Sequence, residues 1–314
     1  MSQRIYLLDN IKVYLMLLVI VAHTLIASYG HNDKLIAWIW FFCLSYTMPL
    51  FTFISGFLSR PAWELKKNVR HLLIPFMVFS VVNICYEGGV NENFNFDWTV
   101  PGFAMWYLLV LFLYRLILPL LVRIKYVFIY SLVLSWVVGY LPFINTSFSL
   151  SRFFCFLPFF LLGYYVAQKE EWKQKLFVPI DMKGVFSVIL IFVVWFIILS
   201  YKPSLAFATS FTGGYGSGYI QILFRIFLQI SVVMLGYYVL RLFPKGFTWI
   251  TPYGSRTMNV YLLHALIVLP FAYQVFPLFE DGTVLQKVGM ILIPTFCCLF
   301  LFTRPVDVIM KKII

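Results

Sequence analysis

Residues 6–29 read YLLDNIKVYLMLLVIVAHTLIASY, and this stretch decides the fold. A helix needs about 20 mainly apolar residues to cross the hydrocarbon of a bilayer. This run supplies them, with only Asp9, Lys12 and His23 as ionisable groups. It is too long for the core of a secretory signal, and no small-residue cleavage site follows it. It therefore reads as a permanent first span.

The remainder repeats the pattern. Of 314 residues, 62% are hydrophobic, 20% aromatic and 11% charged, whereas soluble domains hold about 25% charged residues. No globule of this length has the interior to hide so much apolar surface. Continuing along the chain, apolar runs occupy 36–58, 72–87, 104–122, 126–143, 152–167, 184–201, 218–240, 257–278 and 286–303. The expected fold is all-α: one transmembrane domain over 1–314, with about ten spans and no soluble domain. Pro142 and Pro158 are expected to interrupt the fifth and sixth spans.

Charge sets the expected orientation. The net charge of +12 would suggest nucleic acid in a soluble protein, but here the cations fall in short gaps between spans. Arg60, Lys66, Lys67 and Arg70 lie in one gap, and Arg123 and Lys125 in another. Lys169, Lys173, Lys175 and Lys183 follow, then Arg241, Lys245 and Arg256, and finally Arg304, Lys311 and Lys312. The alternate gaps hold only Lys34, Arg152, Lys202 and Lys287, with Asp33, Glu92, Asp97, Glu280 and Asp281. By the positive-inside rule both termini face the cytoplasm, and no nucleic-acid partner is expected. The five cysteines lie in apolar stretches without metal-ligand spacing, so they read as small hydrophobes and no metal is expected.

Ionisable groups inside spans are costly and mark function by default. On a helix, Asp9, Lys12, Met16 and His23 share one face, although Asp9 and His23 are separated by about 21 Å of axis. A neutral His23 suits a general base, or simply a bond to a neighbouring helix. Gln221, Arg225 and Gln229 form a column at spacing i, i+4, i+8. Arg225 must meet an anion, a carbonyl or water, or else snorkel to headgroups. Its expected depth matches that of His23, in the outer half, and Arg152 opens the sixth span on the same side. Arg60, Lys66, Lys67, Arg70 and His71 form a basic loop that is either topogenic or a phosphate site. Arg115 is a pocket residue, a helix-pairing residue or a snorkelling one. His264 is placed in the inner half beside Asn259, without a definite role, and His31 carries no expectation. Ser55, Gly56 and Gly163 permit close helix approach. No Walker loop, HExxH or GxSxG is present.

Six blocks in order resemble the acyltransferase-three membrane family, in its fucose 4-O-acetylase-like branch. They are RIYLLDNIKVYLMLLVIVAHT, MPLFTFISGFLSR, RHLLIPF, MWYLLVLF, RFFCFLPFFLLGYYV and YGSRTMNVYLLH. The resemblance implies transfer of an acyl group, usually acetyl from cytosolic acetyl-CoA, to a hydroxyl of a cell-surface or lipid-linked glycan. The setting it implies is the inner (plasma) membrane, among membrane lipids. The family's essential His maps onto His23, and a basic residue important for the donor onto Arg70. Many members carry Arg-x-x-Arg in the first helix, whereas this chain reads Asp9-Asn10-Ile11-Lys12, replacing a bidentate fork by a point charge. On that basis His23 and Arg225 are the expected catalytic pair, as base and oxyanion stabiliser. Arg70, Lys66, Lys67, Lys12 and Asp9 are expected around the donor. Arg152, Gln221, Gln229 and Trp106 are expected around the acceptor. A transporter or flippase for a glycosylated or anionic lipid would use the same polar groups at midplane. It is disfavoured by the lack of an inverted repeat. A ligand-sensing module is a third reading.

Overall fold

The computed structural model describes residues 5–29, 34–90, 96–141, 143–144, 146–201, 220–275 and 283–313. Among these, all regular structure is helical. Helix α1 spans Tyr6–Tyr29 and α2 spans Lys34–Phe57. Helix α3 runs over Leu65–Val90, with a π-helical turn at Val69–Leu73. Then come α4 (Trp106–Leu121), α5 (Val127–Tyr140), α6 (Leu150–Gln168) and the short α7 (Glu170–Lys175). Helices α8 (Met182–Tyr201) and α9 (Ile220–Leu242) follow. A 3-10 segment at Thr251–Arg256 leads into α10 (Thr257–Leu263), α11 (Ala265–Pro270), α12 (Val284–Leu299) and α13 (Arg304–Ile313).

Each apolar run expected from the sequence is helical over most of its described residues. Six are long and apolar enough to cross a bilayer, and eight if each of two bent pairs counts as one span. Helices α4 and α5 stand at the expected fourth and fifth positions but are shorter. The chain is thus a multi-pass membrane protein. Helix α6 runs through Pro158 without ending, because the lost N–H can be compensated where neighbouring helices enclose the turn. Pro142, His31 and Lys202 lie outside the described residues.

Bonds between gaps fall within each of the two expected faces. On one, Asn10 Nδ2 donates to the carbonyls of Pro244 (3.0 Å) and Gly246 (3.1 Å). Arg241 donates to Val178 O (3.0 Å) and Pro179 O (2.7 Å) on the same face, and Asn259 to Asp307 (3.1 Å). The start of α1 is thereby joined to residues 244–246, residues 178–179 to Arg241, and α10 to α13. On the other face, Phe148 N bonds Thr99 O at 2.7 Å.

Small residues set the tightest crossing. A Cβ on Gly56 would fall onto the Phe160 carbonyl, and one on Gly163 onto the Phe53 carbonyl. Helices α2 and α6 therefore touch backbone to backbone, the close approach that small residues allow in lipid. Gly254 plays a similar part where the 3-10 segment meets Asp9 at the start of α1. Replacing Gly163 with Val should force α2 and α6 apart and destabilise the protein by about 1–3 kcal/mol or more. By contrast, Gly89 has no atom within 4 Å of its added Cβ, so Gly89→Ala should be neutral or stabilising by about 0.4–1 kcal/mol. Thermal unfolding in one detergent compares the two directly.

Candidate active site

Helix α1 carries His23 into the bundle, and the polypeptide breaks to meet it. The α10 and α11 halves are bent by 46° about His264. At this break the His264 ring turns back on its own chain: Nδ1 lies 2.8 Å from Tyr261 O and 3.2 Å from Val260 O. Its Nε2 lies 2.8 Å from Nδ1 of His23, and the two rings are nearly parallel, with an interplanar angle of 13°. His264 is fully buried, while His23 keeps some accessible surface.

The tautomers follow from the partners. A backbone carbonyl only accepts, so Nδ1 of His264 carries a proton. A second proton would make a buried imidazolium, and no acid pairs with it among the described residues. The neutral ring is therefore the economical state. Its Nε2 is then a lone pair, and the bond from His23 must come from an Nδ1–H. That leaves the lone pair of His23 on Nε2, the form a general base needs.

This pairing corrects the expected depths. His23 was placed in the outer half and His264 in the inner half, yet the rings touch. Two things bring them level: the chain enters through the 3-10 segment before α10, and it bends at His264. Sequence spacing along a straight helix contains neither.

Phe103 stands edge-on to His23, with ring centroids 5.0 Å apart. It is held by a turn in which Ala104 adopts a left-handed conformation (φ 60°). That conformation costs a non-glycine residue about 1–2 kcal/mol. The turn is clamped on both sides: Asn83 donates to Phe103 O (3.1 Å) and the Tyr261 hydroxyl donates to Ala104 O. Arg152, at the start of α6, stacks over Trp106 (5.0 Å) and lies near enough for its charge to act on His23. Its buried Nε has no hydrogen-bond partner. Arg152 and Trp106, both expected around the acceptor, are thus on the side of the His pair.

Arg225 and its column lie elsewhere in the packing. Arg225 is fully buried and donates from Nη1 to Ser135 O (3.3 Å) and Cys155 Sγ (3.1 Å). Gln229 donates to Ser135 Oγ (2.9 Å) and accepts from Trp136 Nε1 (2.5 Å). Gln221 Oε1 is buried without a partner. These bonds tie α9 to α5 and α6, and none joins the column to His23 among the described residues.

A second polar site lies at the far end of α4. Ser59, Arg60, Glu64, Lys67, Asn68 and Arg115 line a cavity of about 340 Å³. It carries three cations and one carboxylate. Lys67 pairs with Glu64 at 2.9 Å and holds that exposed carboxyl below the usual range. Asn68 is 5% exposed, and both its Oδ1 and the Nε of Arg115 are buried without partners. Of the residues expected around the donor, the cavity takes Lys67. Lys66 and Arg70 are exposed outside its lining, and Asp9 pairs with Lys12 at 2.8 Å. Arg115 and Asn68 supply what the basic-loop reading lacked. An Arg embedded in an apolar helix was the available signal.

Between the two sites, Ser55 and Tyr107 share a hydrogen bond of 2.7 Å, and Tyr107 donates to Phe51 O at 3.1 Å. Tyr107 in turn meets the ring of Tyr261, 6.0 Å away. From Arg115 to Trp106 is nine residues of α4, or about 13.5 Å at helical rise, before the turn that carries Phe103. No group of three or more metal-ligating side chains occurs among the described residues.

Residues 5–305 match the family model described as an acyltransferase domain, that of the acyltransferase-3 family. No curated protein and no solved structure matches the chain.

Both tautomers can be read directly. Nitrogen-15 NMR of histidine-labelled protein should show both rings protonated at Nδ1. In His264→Phe, which cannot accept, His23 should redistribute toward the Nε2–H form. An Nε2–H signal for His23 in the unsubstituted protein would overturn the assignment.

Proposed function

The chain belongs to the acyltransferase-3 family, and from that premise we propose that it moves an acyl group from acyl-CoA to a hydroxyl of a cell-surface or lipid-linked glycan. The observation that carries this reading is the His23–His264 pair, which leaves a basic nitrogen on a partly accessible ring. Membership of the family makes the chain a membrane acyltransferase. The donor, the acceptor and the inner (plasma) membrane, with termini and basic gaps toward the cytoplasm, are our extensions.

The polar cavity suits a nucleotide head. Arg60, Lys67 and Arg115 offer charge-assisted hydrogen bonds to phosphate, and the orphaned Asn68 Oδ1 calls for a ligand donor such as an amine or hydroxyl. Its volume lies within the range of about 300–1,000 Å³ typical of small-molecule sites. Bound there, acyl-CoA would supply an activated carbonyl and a thiolate leaving group. A rise of about 13.5 Å along α4, between Arg115 and the turn that carries Phe103, calls for a donor with a long arm, and acetyl is the smallest group such an arm can bring.

The chain's own residues then divide the work. His23 Nε2 takes the proton of the acceptor hydroxyl as the oxygen attacks, and returns it to the departing sulfur. His264 holds the His23 ring in the reactive tautomer. General-base catalysis contributes about 10²–10⁴-fold, so the negative charge developing on the carbonyl oxygen needs a partner. We assign that part to Arg152, whose charge acts on His23, rather than to Arg225, whose bonds run to Ser135 and Cys155. Trp106 backs the Arg152 guanidinium.

Calorimetry with acetyl-CoA, on the full chain in nanodiscs, tests the donor. Arg115→Ala should weaken binding about tenfold or more, the loss of one buried charge-assisted bond. Arg70→Ala should matter less. His23→Ala should bind normally while CoA release with glycan acceptors falls by about 10²–10⁴-fold. Absence of affinity for any acyl-CoA in the unsubstituted protein would remove the donor assignment.

A further inference from the structure

Away from both polar sites, α2, α6 and α9 enclose an apolar groove of about 330 Å³, closed at one end by α7. Leu50, Phe53, Phe159, Val232 and Gly236 form its wall, and Val233 and Met234 at its rim are exposed. Polar character enters only through Trp172, Lys175 and Tyr237 of its lining, with Trp172 and Lys175 on α7 at the mouth. The neighbouring cations there are engaged: Lys173 pairs with Glu170 (3.2 Å), and Lys169 sits over the Trp172 ring (4.4 Å). Arg241 is bound to the carbonyls of Val178 and Pro179 and stacks on Tyr237. Lys175 is exposed and has no ion pair among the described residues.

An apolar slot in a membrane protein is filled by something, and the surrounding tails are as apolar as its wall. Burial therefore cannot select the occupant. The mouth can: a cation beside an interfacial Trp is the arrangement that recognises an anionic headgroup. We propose that the groove seats one acyl chain of an anionic glycerophospholipid, with the headgroup phosphate on Lys175. The lipid would act as a wedge that holds α9 against the α2–α6 crossing. It is not the acyl acceptor, because the mouth lies beyond the opposite end of α6 from Arg152, about 24 Å along the helix. This assignment is independent of the donor and acceptor proposed above.

The test uses the full chain in nanodiscs of phosphatidylcholine, with and without phosphatidylglycerol, read by melting temperature and by native mass spectrometry of retained lipid. Phosphatidylglycerol should raise the melting temperature, and one molecule should be retained. Lys175→Gln should weaken retention about fivefold, the effect of one cation at the membrane surface, while Lys312→Gln leaves it unchanged. Gly236→Leu, whose Cβ would find its nearest atom, on Leu50, at 3.5 Å, should fill the slot and abolish retention. Should that variant fail to fold, Lys175→Gln alone decides. Equal retention of both lipids, an unaffected Lys175→Gln, or tighter binding of an isoprenyl phosphate overturns the proposal. So does a dimer that Gly236→Leu abolishes, since the groove would then be a contact between copies.

Discussion

Hydrocarbon offers no hydrogen bonds, so every polar group carried into it must be satisfied by the protein itself. The interior is organised by that demand. His264 answers it by bending back to its own carbonyls, and in doing so it offers His23 an acceptor. Arg225 answers it with a carbonyl and a thiol on two neighbouring helices. Asn10, with no exposed surface, takes two carbonyls of the 244–246 turn and accepts from Thr248 and Thr251. Some buried polar atoms keep no partner among the described residues, and those of Arg152, Arg115 and Asn68 lie at the two candidate sites, where a ligand can meet them.

Packing then decides which polar groups meet. The Gly56–Gly163 crossing brings α2 and α6 into backbone contact, which sets where Arg152 at the start of α6 comes to lie. The strained Ala104 turn is fastened to α3 through Asn83 and to α10 through Tyr261. It carries Phe103 against His23. Three stretches distant in sequence thus converge on the imidazole of His23.

Much of this was legible in one dimension. Hydropathy finds spans because the bilayer imposes a length, and charge alternation sorts gaps because it is a rule about sides. The helices at the expected positions follow from the first of those regularities. Close approach at Gly56 and Gly163 was legible too, since only small residues permit it. The site was legible in part. His23 stood out as an ionisable group in an apolar run, but its partner did not, because the break at His264 changes depth in a way periodicity does not record. The basic loop was visible as a cluster. Which of its cations border the cavity depends on the fold of the loop against Arg115, and that is a tertiary fact. Arg225 was the most conspicuous charge, yet its bonds are those of a brace between helices.

The separation between the polar cavity and the His pair has a consequence for direction. On the proposed reaction, the bulky, multiply charged nucleotide never leaves the side it came from, and the acceptor never leaves the other. Only a small neutral acyl group changes sides, carried at the tip of an arm and released by chemistry rather than by a rocking of the bundle. Catalysis of that kind is vectorial: the transfer itself is the transport, and the protein needs no inward-open and outward-open states to accomplish it.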